Sequence, residues 1–223
     1  MMTSNNTNKK LGWDLFSLGL TAFGGLGIEI LYVSLLEPLL YGAQSGDWSD
    51  AQHIAHWLLT CVTWGCIAFW IVQSAKKNYD FDILAVCETM RTWQWVAAFL
   101  MVAAAIAVQC HDWGGFKCIR EWQHLGAVKF VFQYLYYAFE TVLFLLIIVF
   151  AQKAFEVWLG HEKIPYGGIV CGLTWGLGHA LTKDSLALGL MGILWGIALG
   201  ASYLVAGRNI RKAWVVLFLM FAV

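Results

Sequence analysis

Two ionisable side chains stand inside long apolar stretches of the sequence. Glu140 is the one charged residue in the 22-residue run 130–151, and His179 lies within the apolar run 165–181. A charged side chain deep in a bilayer costs about 2.5–3.5 kcal/mol on insertion scales, so such residues are functional candidates by default. A desolvated carboxylate beside an imidazole can act as a general base towards a water molecule. The residue types therefore make Glu140 and His179 a candidate catalytic pair for hydrolysis.

Polar and aromatic residues accompany this pair at helical spacing. Gln133, Tyr137 and Glu140 stand at i, i+4 and i+7, which places them in one stripe on a helix face. Trp175 precedes His179 by four residues and shares its face. We therefore expect Gln133, Tyr137 and Trp175 to bind substrate beside the catalytic pair.

A further acid, Glu29, follows the glycine-rich segment 24–27. Because this segment is flexible, Glu29 is expected to line a cavity, and it joins the predicted substrate-binding residues.

The composition predicts the kind of element that must position these residues. Hydrophobic residues make up 60% of the 223 residues and charged residues only 13%, which excludes disorder, a disulfide-stapled secreted domain and an ordinary soluble enzyme. The formal net charge of zero leaves no basic footprint for a nucleic-acid partner. Long apolar runs between short polar clusters predict an all-α bundle of transmembrane helices, which satisfy their own backbone polar groups. The chain is expected to form a single integral membrane domain, 1–223, with membrane lipids as its surroundings.

The apolar runs predict about seven membrane spans. They cover 11–40, 53–72, 93–108, 130–151, 165–181, 185–206 and the beginning of a seventh at 213–223. The last run has 11 residues, too few to cross a core that needs about 20, so either the chain continues or its end only dips into the bilayer. Ten Lys and Arg residues fall on the side of the N-terminus against four on the other side, which predicts a cytoplasmic N-terminus. The expected location is the plasma membrane of a bacterium.

The depths of Glu140 and His179 can be compared if the fourth and fifth spans form a hairpin. At about 1.5 Å per residue, the two residues lie roughly 17 and 21 Å from the cytoplasmic edge. We therefore expect them to meet within about one helical turn. The alternative is a structural hydrogen bond between Glu140 and His179 that only orients two helices.

Small residues predict close packing of the fifth and sixth spans. Glycines recur every four residues in each span, at Gly168, Gly172 and Gly176 and at Gly192, Gly196 and Gly200. This spacing lets helix backbones approach each other closely within lipid.

Cys110 and Cys118 flank the predicted outer loop 111–117. In an oxidising compartment they form either a disulfide or two free thiols, and the sequence leaves both open.

The C-terminal third, 166–212, resembles the CPBP family of CAAX-protease and bacteriocin-processing membrane proteins. The resemblance is carried by Trp175-Gly176-Leu177-Gly178-His179, which matches an aromatic-x-x-x-His motif, by the glycine-rich helix and basic turn that follow, and by 75–83. It implies an intramembrane glutamic-type peptidase that acts on a peptide or a prenylated or otherwise lipidated peptide. By this resemblance, His179 takes the place of the second-motif histidine, which would stabilise the transition state, and Glu140 is the buried acid placed to activate water.

A first alternative follows from positions that differ from the family pattern. Thr141 follows Glu140 where a second Glu is usual, Leu145 stands at the place of an Arg, and Met220 at the place of a third-motif His. These differences favour a non-catalytic scaffold or immunity-type protein of the same fold.

A second alternative is a cofactor-binding redox or transport subunit. It would use the outer histidines His53, His56, His111, His124 and His179. No pair of them shows a tight ligand motif, and the sequence predicts no metal and no cofactor.

Overall fold

The computed structural model describes residues 2–85, 89–182 and 184–223, with side chains from residue 8 onward in these ranges. This part of the chain is all-helical, as the sequence predicts. Its elements are α1 (Met2–Leu31), a π-helical turn (Tyr32–Leu36), α2 (Glu37–Tyr41), a 3₁₀ turn (Ser45–Asp47), α3 (Asp50–Tyr79), α4 (Thr92–Trp113), α5 (Lys117–Leu159), α6 (Tyr166–Cys171), a second π-helical turn (Gly172–Gly176), α7 (Leu177–Thr182), α8 (Leu186–Val205) and α9 (Ile210–Ala222).

Five helical segments among the described residues are long and apolar enough to cross a membrane. They are Asn8–Tyr41, Asp50–Tyr79, Thr92–Trp113, Lys117–Leu159 and Leu186–Val205. Large apolar side chains on them are exposed, for example Phe69 at 67% and Phe99 at 72%. Such surfaces suit contact with lipid chains. The expectation of a helical membrane protein is therefore confirmed.

Helix α5 forms the centre of the bundle. Every residue from Leu143 to Ala151 is buried, without helical periodicity, because α1, α3, α6 and α9 all pack against this helix. A helix that is apolar on all sides is typical of such a central position. Glu140 lies one turn before this buried stretch and is itself half-buried.

A backbone break divides α5 near its beginning. Gly126 has φ 72° and ψ 170°, a conformation that glycine tolerates and that interrupts the helical course. The short segment 117–125 therefore takes its own direction and folds against the first turns of the long segment 127–159. This arrangement brings Glu121 to Gln133, twelve residues later.

The glycine spacing produces the close helix packing that the sequence predicts. A Cβ atom added to Gly168 would lie 2.7 Å from the carbonyl oxygen of Gly196 and 2.8 Å from Cα of Gly200. A Cβ atom on Gly172 would lie 2.6 Å from the carbonyl oxygen of Ile193. The backbones of α6 and α8 thus touch directly, and this contact fixes the position of the segment that carries Trp175.

A polar network ties α5 to the turn between α8 and α9 at the opposite end of the bundle from Glu121. Arg208 Nη2 lies 2.7 Å from Glu156 Oε1, and Gln152 Nε2 donates to the same oxygen at 2.9 Å. The side-chain oxygen Oε1 of Gln152 accepts a hydrogen bond from the backbone N–H of Gly167. These contacts hold the start of α6 against α5.

The two cysteines that the sequence left open, Cys110 and Cys118, are free thiols in the structure.

Candidate functional site

Trp175 connects the two residues that the sequence predicts as catalytic. Its indole Nε1–H donates to Glu140 Oε1 at 3.0 Å. Its backbone carbonyl oxygen lies 3.0 Å from Nδ1 of His179, and the two rings meet edge to face with centroids 4.9 Å apart. Glu140 is therefore level with Trp175, and His179 lies one helical turn further along the same segment.

The contact with Trp175 also sets the tautomer of His179. Because a carbonyl oxygen can only accept, Nδ1 carries the hydrogen of this bond. Nε2 of the neutral ring is then the acceptor nitrogen, which can take up a proton and give it back. One residue, Trp175, thus orients both the carboxylate of Glu140 and the imidazole of His179.

Aromatic packing and an irregular helical turn hold Trp175 in place. Its ring lies 5.1 Å from that of Phe144 and 5.7 Å from that of Phe221 on α9, and the residue is only 8% exposed. Trp175 belongs to the π-helical turn Gly172–Gly176. A π-helical turn holds one more residue than an α-helical turn and so rotates the side chains that follow it, and such turns are frequent at functional sites.

A second polar cluster lies one to two turns from Glu140 along α5. Gln133 Nε2 and the Tyr137 hydroxyl donate to Glu121 Oε1 at 3.0 and 2.8 Å. Gln133 and Tyr137 also contact each other, as expected for two residues of one helix stripe. The acid that accepts hydrogen bonds from both is Glu121. Sequence reasoning missed Glu121, since only the break at Gly126 places it here. The sequence feature that could have indicated this break is a glycine between two apolar helical runs.

Lys117 supplies positive charge to this region. Its Nζ donates to the carbonyl oxygen of Phe221 at 2.8 Å and lies over the rings of Tyr137 and Phe221, at 4.6 and 5.0 Å from their centroids. The side chain is buried, and its charge acts on both Glu121 and Glu140. Acids and a cation therefore lie together where α5 packs against α9.

Glu29 lies in a different cluster from the one the sequence predicted. Its Oε1 is 3.5 Å from Nε2 of His56, whose Nδ1 lies 2.7 Å from Oε2 of Glu37. Tyr136, the residue before Tyr137, interacts with Glu29 and interacts electrostatically with Glu140. The structure therefore groups Glu29 with His56 and Glu37, and Tyr136 lies between this group and Glu140.

Two shallow apolar cavities open on the surface of the bundle. One of about 480 Å³ lies between α1 and α3 and includes Gly24 and Gly25 in its lining. The other, of about 430 Å³, lies between α3 and α5 and includes Phe139, the neighbour of Glu140. Glu29 lines neither of the two, although its glycine-rich segment does border the first.

Across the described residues, no group of three or more His, Cys, Asp and Glu side chains is placed to hold a metal ion.

Comparison with known proteins identifies no relative of this chain. No family model, no curated protein and no solved structure matches it. The functional interpretation therefore rests on the residues and contacts described above.

Proposed function

We propose that this protein is an intramembrane peptidase similar to the CPBP family, in which Glu140 activates a water molecule that attacks a peptide bond. The observation that carries this proposal is the pair of contacts made by Trp175, which orients a half-buried carboxylate and a half-buried imidazole about one helical turn apart. A carboxylate held by a fixed donor can act as a general base towards water, and an imidazole nearby can stabilise the oxyanion.

The proposed reaction assigns one task to each group. Glu140 takes a proton from water, and the resulting hydroxide adds to the carbonyl carbon of the peptide bond. His179, in its protonated form with a hydrogen on Nε2 as well as on Nδ1, donates a hydrogen bond to the oxyanion that forms and keeps this proton throughout. Glu140 then gives its proton to the departing amine, so the carboxylate is regenerated and the products are an acid and an amine.

The substrate class follows from the surroundings of the pair. The side-chain oxygen of Gln133 can accept a hydrogen bond from a peptide N–H, while the Tyr137 hydroxyl and the Trp175 indole are bonded to Glu121 and Glu140. The apolar cavity between α3 and α5, lined in part by Phe139, suits an aliphatic side chain or a lipid group. We therefore propose a peptide or lipidated peptide as the substrate.

The proposal is tested with the full chain in phospholipid nanodiscs and two probes, a quenched peptide with an apolar segment and a farnesylated C-terminal peptide. Mass spectrometry of the products is expected to show cleavage of at least one probe. The change His179→Ala is expected to lower the rate by about 10²-fold or more. The matched control His161→Ala changes an exposed histidine in the 160–165 loop and should leave the rate unchanged. Cleavage of neither probe by correctly folded protein, or an unchanged rate in His179→Ala, would overturn the proposal.

We also propose seven crossings with the N-terminus in the cytoplasm of a bacterium. Besides the five long helical segments, 166–182 and 210–222 run through the bundle as shorter helical segments, and the ten-to-four distribution of Lys and Arg supports the orientation. Single cysteines at Gly46 and Glu162, in a cysteine-free background, test it. A membrane-impermeant maleimide added to intact cells should label position 46 and not position 162, and the reverse pattern would contradict the orientation.

A non-catalytic scaffold of the same fold is the second candidate, and one observation favours it. Leu145 and Met220 stand where the family pattern has an Arg and a His, and both are buried in the core. Met220 Sδ accepts a hydrogen bond from the Ser202 hydroxyl at 3.1 Å, so packing fills that position. This candidate predicts no hydrolysis of either probe, together with a loss of thermal stability when Glu140 is replaced.

A further inference from the structure

A buried histidine lies between two carboxylates at the junction of α2 and α3. His56 is 5% exposed and Glu37 is 1% exposed. The imidazole Nδ1 is 2.7 Å from Glu37 Oε2, and Nε2 is 3.5 Å from Glu29 Oε1. Both ring nitrogens thus face a carboxylate oxygen.

Hydrogen bonds from both ring nitrogens of His56 to carboxylates require a hydrogen on each nitrogen, one more than the neutral ring carries. A carboxylate can only accept, and an imidazole donates from both nitrogens only when each nitrogen carries a hydrogen. With both acids ionised and His56 doubly protonated, the formal charge of the group is −1, and loss of that proton makes it −2. Buried charges without compensating partners are costly, so the geometry favours the state with the additional proton.

One carboxylate oxygen of the group is buried without a hydrogen-bond partner among the described residues. This atom is Oε1 of Glu37. Burying such an atom without a partner costs free energy, and the cost is larger for a charged group. A positively charged His56 ring, 2.7 Å from the other oxygen of Glu37, offsets part of the negative charge and so reduces that cost.

The elements packed around His56 bring few other charges to it. Trp48 covers the imidazole with ring centroids 5.6 Å apart, and its indole is bonded to the carbonyl oxygen of Ala43. On α3 the nearest titratable neighbour is His53, one turn earlier, and Asp50 pairs with Lys129 of α5 at 2.8 Å. On α5, Tyr136 interacts with Glu29, and beyond it lies Glu140.

From this arrangement we propose that Glu37, His56 and Glu29 form a proton-binding site, separate from the proposed hydrolytic site. The bound proton is held on the imidazole between the two acids. It leaves to water on the side of Glu29, whose side chain is 28% exposed. Release changes the charge beside Tyr136, which lies one helical turn from Glu140. The proposal does not depend on peptide hydrolysis.

Nitrogen NMR of the full chain, labelled with ¹⁵N-histidine and reconstituted in nanodiscs, tests the site directly. His56, assigned with His56→Gln, is expected to keep a hydrogen on each ring nitrogen at a pH one unit above the ordinary histidine pKa of about 6.5. In Glu29→Gln and in Glu37→Gln, the second ring proton of His56 is expected to be lost at that pH.

The control Asp47→Asn removes an exposed negative charge from the neighbouring loop and should leave the His56 signals unchanged. If Glu37→Gln does not fold, Glu29→Gln, at the partly exposed position, still decides the outcome. A His56 ring that has lost one of its two hydrogens at that pH in the unchanged protein would overturn the proposal. Zn²⁺ that remains bound to the purified protein and shifts the Nε2 signal would also overturn it, in favour of a metal site.

Discussion

The change Glu140→Gln is expected to lower the rate of probe hydrolysis by about 10²–10⁴-fold. Glutamine keeps the shape of the side chain and still offers an oxygen to the indole N–H of Trp175, but it cannot take a proton from water. The fold should therefore survive while the general base is lost. Initial rates on the probe in nanodiscs, with thermal unfolding measured on the same preparation, check both parts.

The matched control for this prediction is Glu162→Gln. Glu162 is an exposed acid in the 160–165 loop, and only its backbone carbonyl makes a described contact, with Arg208. This variant should cleave at the rate of the unchanged protein. A Glu140→Gln protein that is fully active refutes the general-base role, whereas one that is unfolded supports the structural interpretation of Glu140.

The change Gly168→Ala is expected to destabilise the bundle by about 1–3 kcal/mol or more. The added Cβ would lie 2.7 and 2.8 Å from backbone atoms of Gly196 and Gly200, and backbone atoms in a helix cannot move aside as a flexible side chain can. Helices α6 and α8 would have to separate, and the contact between Trp175 and Glu140 depends on their position. Unfolding in mixed detergent micelles, followed by tryptophan fluorescence, measures the change.

Gly178→Ala provides the matched control in the same helical segment. A Cβ at Gly178 meets no atom within 4 Å, so the substitution should be neutral or should stabilise the helix by up to about 1 kcal/mol through better helix propensity. The same chemical change is thus expected to have opposite signs at two positions ten residues apart. Equal effects at both positions would show that α6 and α8 do not pack through their glycines.

The sequence was sufficient for the fold class and for the close packing of α6 with α8. Both depend on local patterns, namely long apolar runs and glycines four residues apart, which act wherever the helices are placed. The number of helices long enough to cross was harder, because the segment 166–182 is interrupted by a π-helical turn and α9 has only 13 residues.

The site could be predicted in part, since its chemistry-bearing residues stand out in apolar surroundings. Glu140, Trp175 and His179 were identified from residue type and spacing. Glu121 and the pair Glu37–His56 were missed, because their contacts depend on a backbone break at Gly126 and on the π-helical turn that precedes Glu37. Such irregular turns rotate side chains away from the positions that a regular helical period predicts, and the pattern of apolar residues does not specify them.

The most direct measurement of the central claim is the ¹⁵N–¹H signal of the Trp175 indole in nanodiscs, assigned with Trp175→Phe. The indole of the unchanged protein should show a strong, charge-assisted hydrogen bond, and the signal should move towards that of a neutral bond in Glu140→Gln. The signal should not move in Glu162→Gln. An indole signal that is the same with and without the Glu140 carboxylate would contradict the account, because Trp175 would then not hold the proposed base beside His179.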